Sequence, residues 1–325
     1  MKRPLISQLK AILKDPSLTE AELLFRLKKL IYKADVKSKG KAESVHSATA
    51  VKHHLKKRAA GHSKPSGFSE LDTTYGGLQS GELVLLAARP LMGKTQLMVN
   101  LALNSLKSHS VLYYSGDLSR ALLMKRFIAS LSSISMRQLL SDALPAKEEK
   151  RVLVTEKKIL KMNLFLNTEP YFLEDFKALC KKQVKENNVK VIFVDAIEQL
   201  CHSKKKAQRE EELSFISCEL KKLAVELHIS IVVALQLGLS VEKRVRSPRP
   251  ILSDLKGFGT IKKYADKVLF LYRPDYYLIS KLADKRSSEG RAELIVAKNK
   301  NGATGTLYLK RDPDFTNFTA LSQKN

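Results

Sequence analysis

Lys94 and Thr95, placed directly behind Gly93 at the end of the run Gly81 to Thr95 (GELVLLAARPLMGKT), form a residue set suited to holding phosphate. In such a loop the backbone N–H groups wrap the α and β phosphates of a nucleotide. The lysine reaches the β and γ phosphates and the hydroxyl residue binds Mg²⁺. The loop comprises Ala88, Arg89, Pro90, Leu91, Met92, Gly93, Lys94 and Thr95, and it departs from GxxxxGKT at its first position, Ala88. GKT alone also arises at an ordinary helix start with an exposed lysine, so its surroundings decide. Gly81, Glu82 and the apolar residues Leu83 to Ala88 read as a buried strand, and Gln96 to Leu106 as an amphipathic helix. That order aims a helix N-terminus, with its partial positive charge, at the phosphates.

Further groups fall at the ends of other predicted strands. Val189 to Asp195 (VKVIFVD) is an apolar strand closing on a carboxylate, which can hold the hydration shell of Mg²⁺ opposite Thr95. Asp117 follows the strand Ser110 to Ser115 and is placed to orient an attacking water, while Gln236 follows Ile229 to Leu235 and can sense a γ phosphate. Each has an ordinary alternative: Asp117 as a helix cap, Asp195 as a turn residue, Gln236 as a surface amide. Three such groups beside one phosphate loop favour the chemical reading.

The elements that must carry these groups alternate. Helices are predicted over Leu122 to Leu131, Lys147 to Lys161 and Leu173 to Asn187. Leu213, Ile216, Leu220, Leu223 and Leu227 recur at spacings of three and four and share one helix face. Strands are predicted at Leu164 to Leu166, Lys267 to Tyr272 and Ala292 to Lys298. Apolar strands alternating with helices give an α/β fold with a mainly parallel central sheet, binding ligands at the strands' C-terminal ends. No internal repeat is visible.

The net charge is +25, which points to a polyanion such as nucleic acid. Residues 1–65 hold sixteen basic against five acidic residues and look unlike the rest. They contain an amphipathic helix candidate (Glu20 to Tyr32) and a basic run, Lys52 to Arg58. This segment reads as a basic helical or disordered N-terminal arm and linker; a compact domain follows over residues 66–325. A merely solvated basic tail is the competing account. Cys180, Cys201 and Cys218 lack CxxC spacing and read as reduced core or near-core thiols. His53, His54 and His62 cluster without companion ligands, so no metal site is expected there. No apolar run spans a bilayer and no secretory signal is read, giving an expectation of a cytoplasmic protein.

The segment SGFSELDTTYGGLQSGELVLLAARPLMGKT resembles the start of the RecA-like motor domain of hexameric replicative helicases of the DnaB type, whose loop commonly reads ARPxMGKT. The likeness continues through SGDLSRALLMKRFIASLSSIS, VIFVDAIEQL, ISIVVALQLGLSVEKR, PILSDLKGFGTIKKYADKVLFLYR and AELIVAKNKNGATGTLYL, in order, over most of Ser66 to Leu321. It implies a RecA-like P-loop ATPase that forms a homo-oligomeric, hexameric ring around single-stranded DNA and uses ATP and Mg²⁺, with replication initiation or loading factors as further partners. Lys94 and Thr95 then hold phosphate and metal, Asp195 is the second acidic motif, and Gln236 the sensor. Lys204, Lys205, Lys206 and Arg209, with Lys243, Arg244, Arg246 and Arg249, fall where the family places DNA-gripping loops. Both loops are basic and free of aromatic residues, which suits contacts to phosphate that do not read sequence. Lys298 and Lys300 fall in the element that reaches a neighbour's ATP.

The departures bear on turnover. Asp117 stands where the family carries a catalytic glutamate, one methylene longer, and Lys300 where it carries an arginine finger. A lysine keeps the charge and loses the planar two-pronged contact. About 65 basic-rich residues precede the motor region where the family has a globular N-terminal domain. The leading reading is therefore an ATP-dependent DNA helicase of replication, its turnover weakened by Asp117 and Lys300. Its rivals are a helicase-like ATP- and DNA-binding accessory factor with little turnover, and a RecA- or RadA-like recombination ATPase.

Overall fold

The computed structural model describes residues 63–141, 143–169, 172–202, 208–238, 247–258, 260–282, 284–314 and 316–321. The arm helix, the basic run Lys52 to Arg58, the three clustered histidines, and Lys204, Lys205, Lys206, Lys243, Arg244 and Arg246 lie outside the described residues.

In chain order the elements are β1 (Ser63–Lys64), α1 (Ser69–Thr73), β2 (Leu78–Gln79), β3 (Leu83–Ala88), α2 (Lys94–Ser105), β4 (Ser110–Ser115), α3 (Arg120–Ser132) and α4 (Met136–Leu139). They continue with α5 (Ala146–Ile159), β5 (Leu164–Asn167), α6 (Leu173–Asn187), β6 (Val189–Asp195), a 3-10 turn (Ile197–Gln199), α7 (Arg209–Leu227) and β7 (Ser230–Gln236). The last are α8 (Ile261–Tyr264), β8 (Lys267–Tyr272), β9 (Arg291–Asn299), β10 (Gly305–Arg311) and β11 (Phe318–Ala320).

Among the described residues one nine-stranded sheet runs β11-β10-β9-β8-β3-β7-β6-β4-β5. From β8 to β5 every neighbouring pair is parallel, and β9, β10 and β11 extend the sheet antiparallel. The reason lies in the residue types. β3 (LVLLAA) and β8 (KVLFLY) are buried at every position and β7 is buried up to its last residue, as strands covered on both faces must be. On one face Leu97, Met98 and Phe127 from α2 and α3 pack on the sheet; on the other Phe176, Leu213 and Leu220 from α6 and α7 do so. Each such side chain contributes about 1.5–3 kcal/mol on burial. The periodic face of α7 is buried at Leu213, Ile216, Leu220 and Leu223.

Parallel pairing in register gathers the strand ends. Ala88 pairs with Gln236, and Ser115 with Asp195, so four neighbouring strands terminate along one edge. One expectation needs correction: Cys180 is buried, but Cys201 is exposed, because it follows the 3-10 turn after the strand has left the core. No helix among the described residues is long and apolar enough to cross a membrane.

Candidate functional site

The phosphate loop leaves β3 at Ala88, whose carbonyl accepts the Leu237 N–H at 2.9 Å. Arg89 Nη1 donates to the Leu237 carbonyl at 2.7 Å, so the loop is strapped to the exit of β7. Leu91 adopts a left-handed φ of 64° and is 75% exposed, and its carbonyl accepts Arg273 Nη1 at 3.1 Å. Met92 turns inward and is buried. Gly93 carries φ 93°, and a Cβ built there would lie 2.9 Å from Phe318 Cζ, so both backbone and space demand glycine.

Helix α2 begins at Lys94 with no side-chain cap and no acidic residue in its first turn. Its first N–H groups are therefore left without a side-chain acceptor, with the Lys94 ammonium group on the same turn, an arrangement that suits an anion. A cavity of about 300 Å³ opens there, lined by Arg89, Pro90, Lys94, Thr95, Arg126 and Gln236. Gln236 is exposed at the end of β7 and lines the same cavity.

Asp195 ends β6 buried, accepts the Tyr113 hydroxyl at 3.0 Å and is hydrogen-bonded to Thr95. Burial raises its proton affinity, while Lys94 and the Thr95 and Tyr113 bonds act in the opposite sense. Burial, then the neighbouring Asp195 charge, push the Tyr113 phenol well up, so it stays a neutral donor. A hydroxyl and a carboxylate held together beside a lysine fit a nucleotide-bound Mg²⁺. Among the described residues no group of three His, Cys, Asp or Glu could cage a metal alone. Mg²⁺ held by one protein carboxylate, substrate phosphates and waters needs no such cage.

Asp117 is exposed beyond β4, and its Oδ1 accepts the Gln199 amide. The turn that follows β6 thus reaches both neighbouring strands, because its next residue back, Glu198, accepts the Gln236 N–H with Oε1 at 2.7 Å. Sequence reading took only the first carboxylate after the apolar run and missed both Glu198 and Gln199. Their signal was available in VIFVDAIEQL, three and four residues past Asp195. Arg126 was missed as well. It lines the cavity from α3, its Nε is buried without a partner, and it lies close enough to Tyr113 to bear on that phenol. Among Arg120, Lys125 and Arg126, nothing in the sequence singles it out.

Lys298 and Lys300 lie elsewhere. Lys267 at the start of β8 pairs with Asn299, so the end of β9 sits at the N-terminal edge of the parallel strands. The phosphate loop lies at the C-terminal edge, about 20 Å away along the six-residue β3. Lys298 Nζ donates to the Lys262 and Ala265 carbonyls at 2.5 and 2.6 Å. Burial, then Lys300, lower its proton affinity. Lys300 Nζ pairs with Asp266 Oδ1 at 3.1 Å. Within this chain these lysines do not meet Lys94, Thr95, Asp117, Asp195 or Gln236, which share the other edge.

Two of the DNA-loop candidates are described. Arg209 donates to the Glu198 and Leu200 carbonyls and pairs with Glu212. Arg249 pairs through Nε with the buried Glu293 at 2.7 Å and donates to Thr306 Oγ1 at 2.9 Å. Each stands shortly after a segment that lies outside the described residues.

A family model described as DnaB-like helicase C terminal domain matches residues 64–320. The chain is 35% identical over 286 residues to the replicative DNA helicase DnaB of Helicobacter pylori, covering 78% of this chain and 59% of that protein. It is 31% identical over 266 residues to the replicative DNA helicase DnaB of Geobacillus stearothermophilus, covering 80% and 57%. The solved structure of a DnaB-like replicative helicase, studied with its interactions with primase, superposes with a TM-score of 0.78 at 25% identity, covering 99% of this chain and 76% of that one. The chain thus spans less than two thirds of the length of these curated relatives.

Proposed function

The chain belongs to the DnaB-like helicase C-terminal domain family, and from that premise we propose that it is an ATP-dependent DNA helicase that translocates on single-stranded DNA in replication. The observation that carries this reading is the common edge of β3, β4, β6 and β7, where Lys94, Thr95 and Gln236 line one cavity and Asp195 is hydrogen-bonded to Thr95 behind it. ATP is bound by the loop from Ala88 to Thr95. Thr95 and Asp195 hold Mg²⁺, which, when bound, neutralises charge on the β and γ phosphates.

The working unit is a cytoplasmic homo-oligomeric ring. Support comes from Lys298 and Lys300, which can act on ATP only from a second copy, because they stand at the opposite edge from their own phosphate loop. Lys204, Lys205, Lys206, Lys243, Arg244 and Arg246 contact the DNA backbone, and Arg209 and Arg249 close by are held by Glu212 and Glu293. The basic arm of residues 1–65 adds phosphate contacts, and initiation or loading factors are further partners. One reading competes. A protein that binds ATP and DNA with little turnover is favoured by Lys300 being paired with Asp266 and by the short, exposed Asp117.

The purified chain of residues 1–325 should hydrolyse ATP faster when a single-stranded oligonucleotide is added. Absence of any DNA-stimulated turnover, with nucleotide binding intact, would replace the helicase reading by its rival. Removing residues 1–60 should lower DNA affinity and flatten its dependence on salt.

A further inference from the structure

Glu198 is the carboxylate at this site for which no role has yet been given. It sits on the 3-10 turn after Asp195, and one of its oxygens is fixed: Oε1 accepts the Gln236 N–H at 2.7 Å. The other, Oε2, is buried with no hydrogen-bond partner. Leaving a buried carboxylate oxygen unmet is unfavourable, so an arrangement of this kind calls for an explanation.

Its surroundings indicate which one. Lys94 and Asp117 are the charged side chains that act on Glu198, and the same two act on Asp195. Glu198 therefore stands beside the phosphate site, behind the residues that line its cavity. Its anchor is the backbone of Gln236, whose side chain lines the nucleotide cavity. Its own carbonyl is held by Arg209. Asp117, by contrast, is exposed and its Oδ1 is already taken by Gln199.

Resting on the ATPase reading above, we infer that Glu198 Oε2 is the group that orients the attacking water and accepts its proton. The water oxygen bonds to the γ phosphorus as the bond from that phosphorus to the β–γ bridging oxygen breaks. ADP leaves with the bonding pair, and the proton displaced from water goes to Oε2. No further reactant is needed. Burial, opposed by the Gln236 N–H and Lys94, raises the proton affinity of Glu198. Asp117, fixed by Gln199, then serves as a neighbouring charge instead of the sole water-directing group.

The test compares wild type with Glu198→Gln in the full chain, using ATP, a single-stranded oligonucleotide and a fluorescent ADP analogue. The amide oxygen of glutamine can still accept the Gln236 N–H, so that bond survives while the proton acceptor is lost. Expected is a fall in kcat of about a hundredfold with ADP-analogue affinity and thermal midpoint unchanged. Turnover within about threefold of wild type would overturn the inference and leave the ATPase reading intact. Loss of analogue affinity or of thermal midpoint alongside kcat would also overturn it, since Glu198 would then be a structural brace of β7. A wild-type protein without DNA-stimulated turnover would instead sink the ATPase reading, and this inference with it.

Discussion

The two ends of the parallel sheet treat their polar groups in opposite ways. At the C-terminal edge, α2 starts without a cap or an acid, Arg126 Nε and Glu198 Oε2 are buried without partners, and Gln236 is exposed. At the N-terminal edge most of the charges are matched against one another. Asp266 takes Lys221 at 2.6 Å and Lys300 at 3.1 Å and accepts the Leu83 N–H at 2.9 Å. The buried Lys267 donates to the Gly77 carbonyl and lies 3.5 Å from Glu82, whose Oε1 accepts Asn301 Nδ2 at 2.8 Å. The pairing is not complete, since Glu82 Oε2 and Ser230 Oγ at this edge are also buried without a hydrogen-bond partner; what separates the two edges is the uncapped helix start and the cavity beside it at the C-terminal one.

Substitutions at the two edges should separate cleanly. Lys94→Ala should lower DNA-stimulated ATP turnover by about 10² to 10³ or more while leaving the thermal midpoint near wild type, because a donor aimed at phosphate is lost and no internal partner is orphaned. If Lys94→Ala instead unfolded the protein, the contrast between the edges would collapse. Asp266→Asn should do the reverse, destabilising the fold by about 2 kcal/mol through loss of two charged partners, with the Leu83 N–H still satisfied by the amide oxygen. Burial alone would raise the proton affinity of Asp266, but Lys221, the Leu83 N–H and Lys300 together hold it below the usual carboxylate range. The sign follows: its contribution is present above the unfolded value near 3.9 and is lost as pH falls through the lower folded value. Acid titrations of stability should show that loss in wild type and not in Asp266→Asn.

A smaller effect is expected at Gly93. Alanine there must take φ 93° and push the Phe318 ring, destabilising by about 1–2 kcal/mol, and a second change, Phe318→Leu, should recover part of it in a thermal melt. The smallest and most discriminating change is Lys300→Arg. If the paired edge also serves a neighbour's nucleotide, arginine should raise steady-state turnover several-fold through its two-pronged phosphate contact. An unchanged rate would leave Lys300 as a partner of Asp266 alone.

Much of this contrast was legible beforehand, and its limits have physical causes. The buried strands β3, β6, β7 and β8 announce themselves by unbroken apolar runs, and strand-end logic found Asp195, Asp117 and Gln236 at one edge. β10 escaped because its burial is only partial, so its apolar signal is weak. Glu198 and Arg126 escaped because their significance lies in what they lack, and an absent partner has no signature in sequence. That Lys298 and Lys300 reach a neighbour's ATP was implied by the resemblance alone; the antiparallel return of β9 places both at the edge of their own sheet opposite the loop at Lys94.

The attachment of β11 to α2 sets an order for biosynthesis. Gln96 on the first turn of α2 donates to the Thr316 carbonyl, and Asn100 meets Asn317 and the Phe318 N–H, across sequence separations of 220, 217 and 218 residues. On a ribosome adding 5–20 residues per second, the nucleotide cradle would wait roughly 10–40 s for its final brace, counting the 220 residues between Gln96 and Thr316. Throughout that interval the face of α2 destined for β11 has no strand to cover it. A stalled or prematurely released chain would therefore carry the complete phosphate-loop sequence without the contact that seats Gly93 against Phe318.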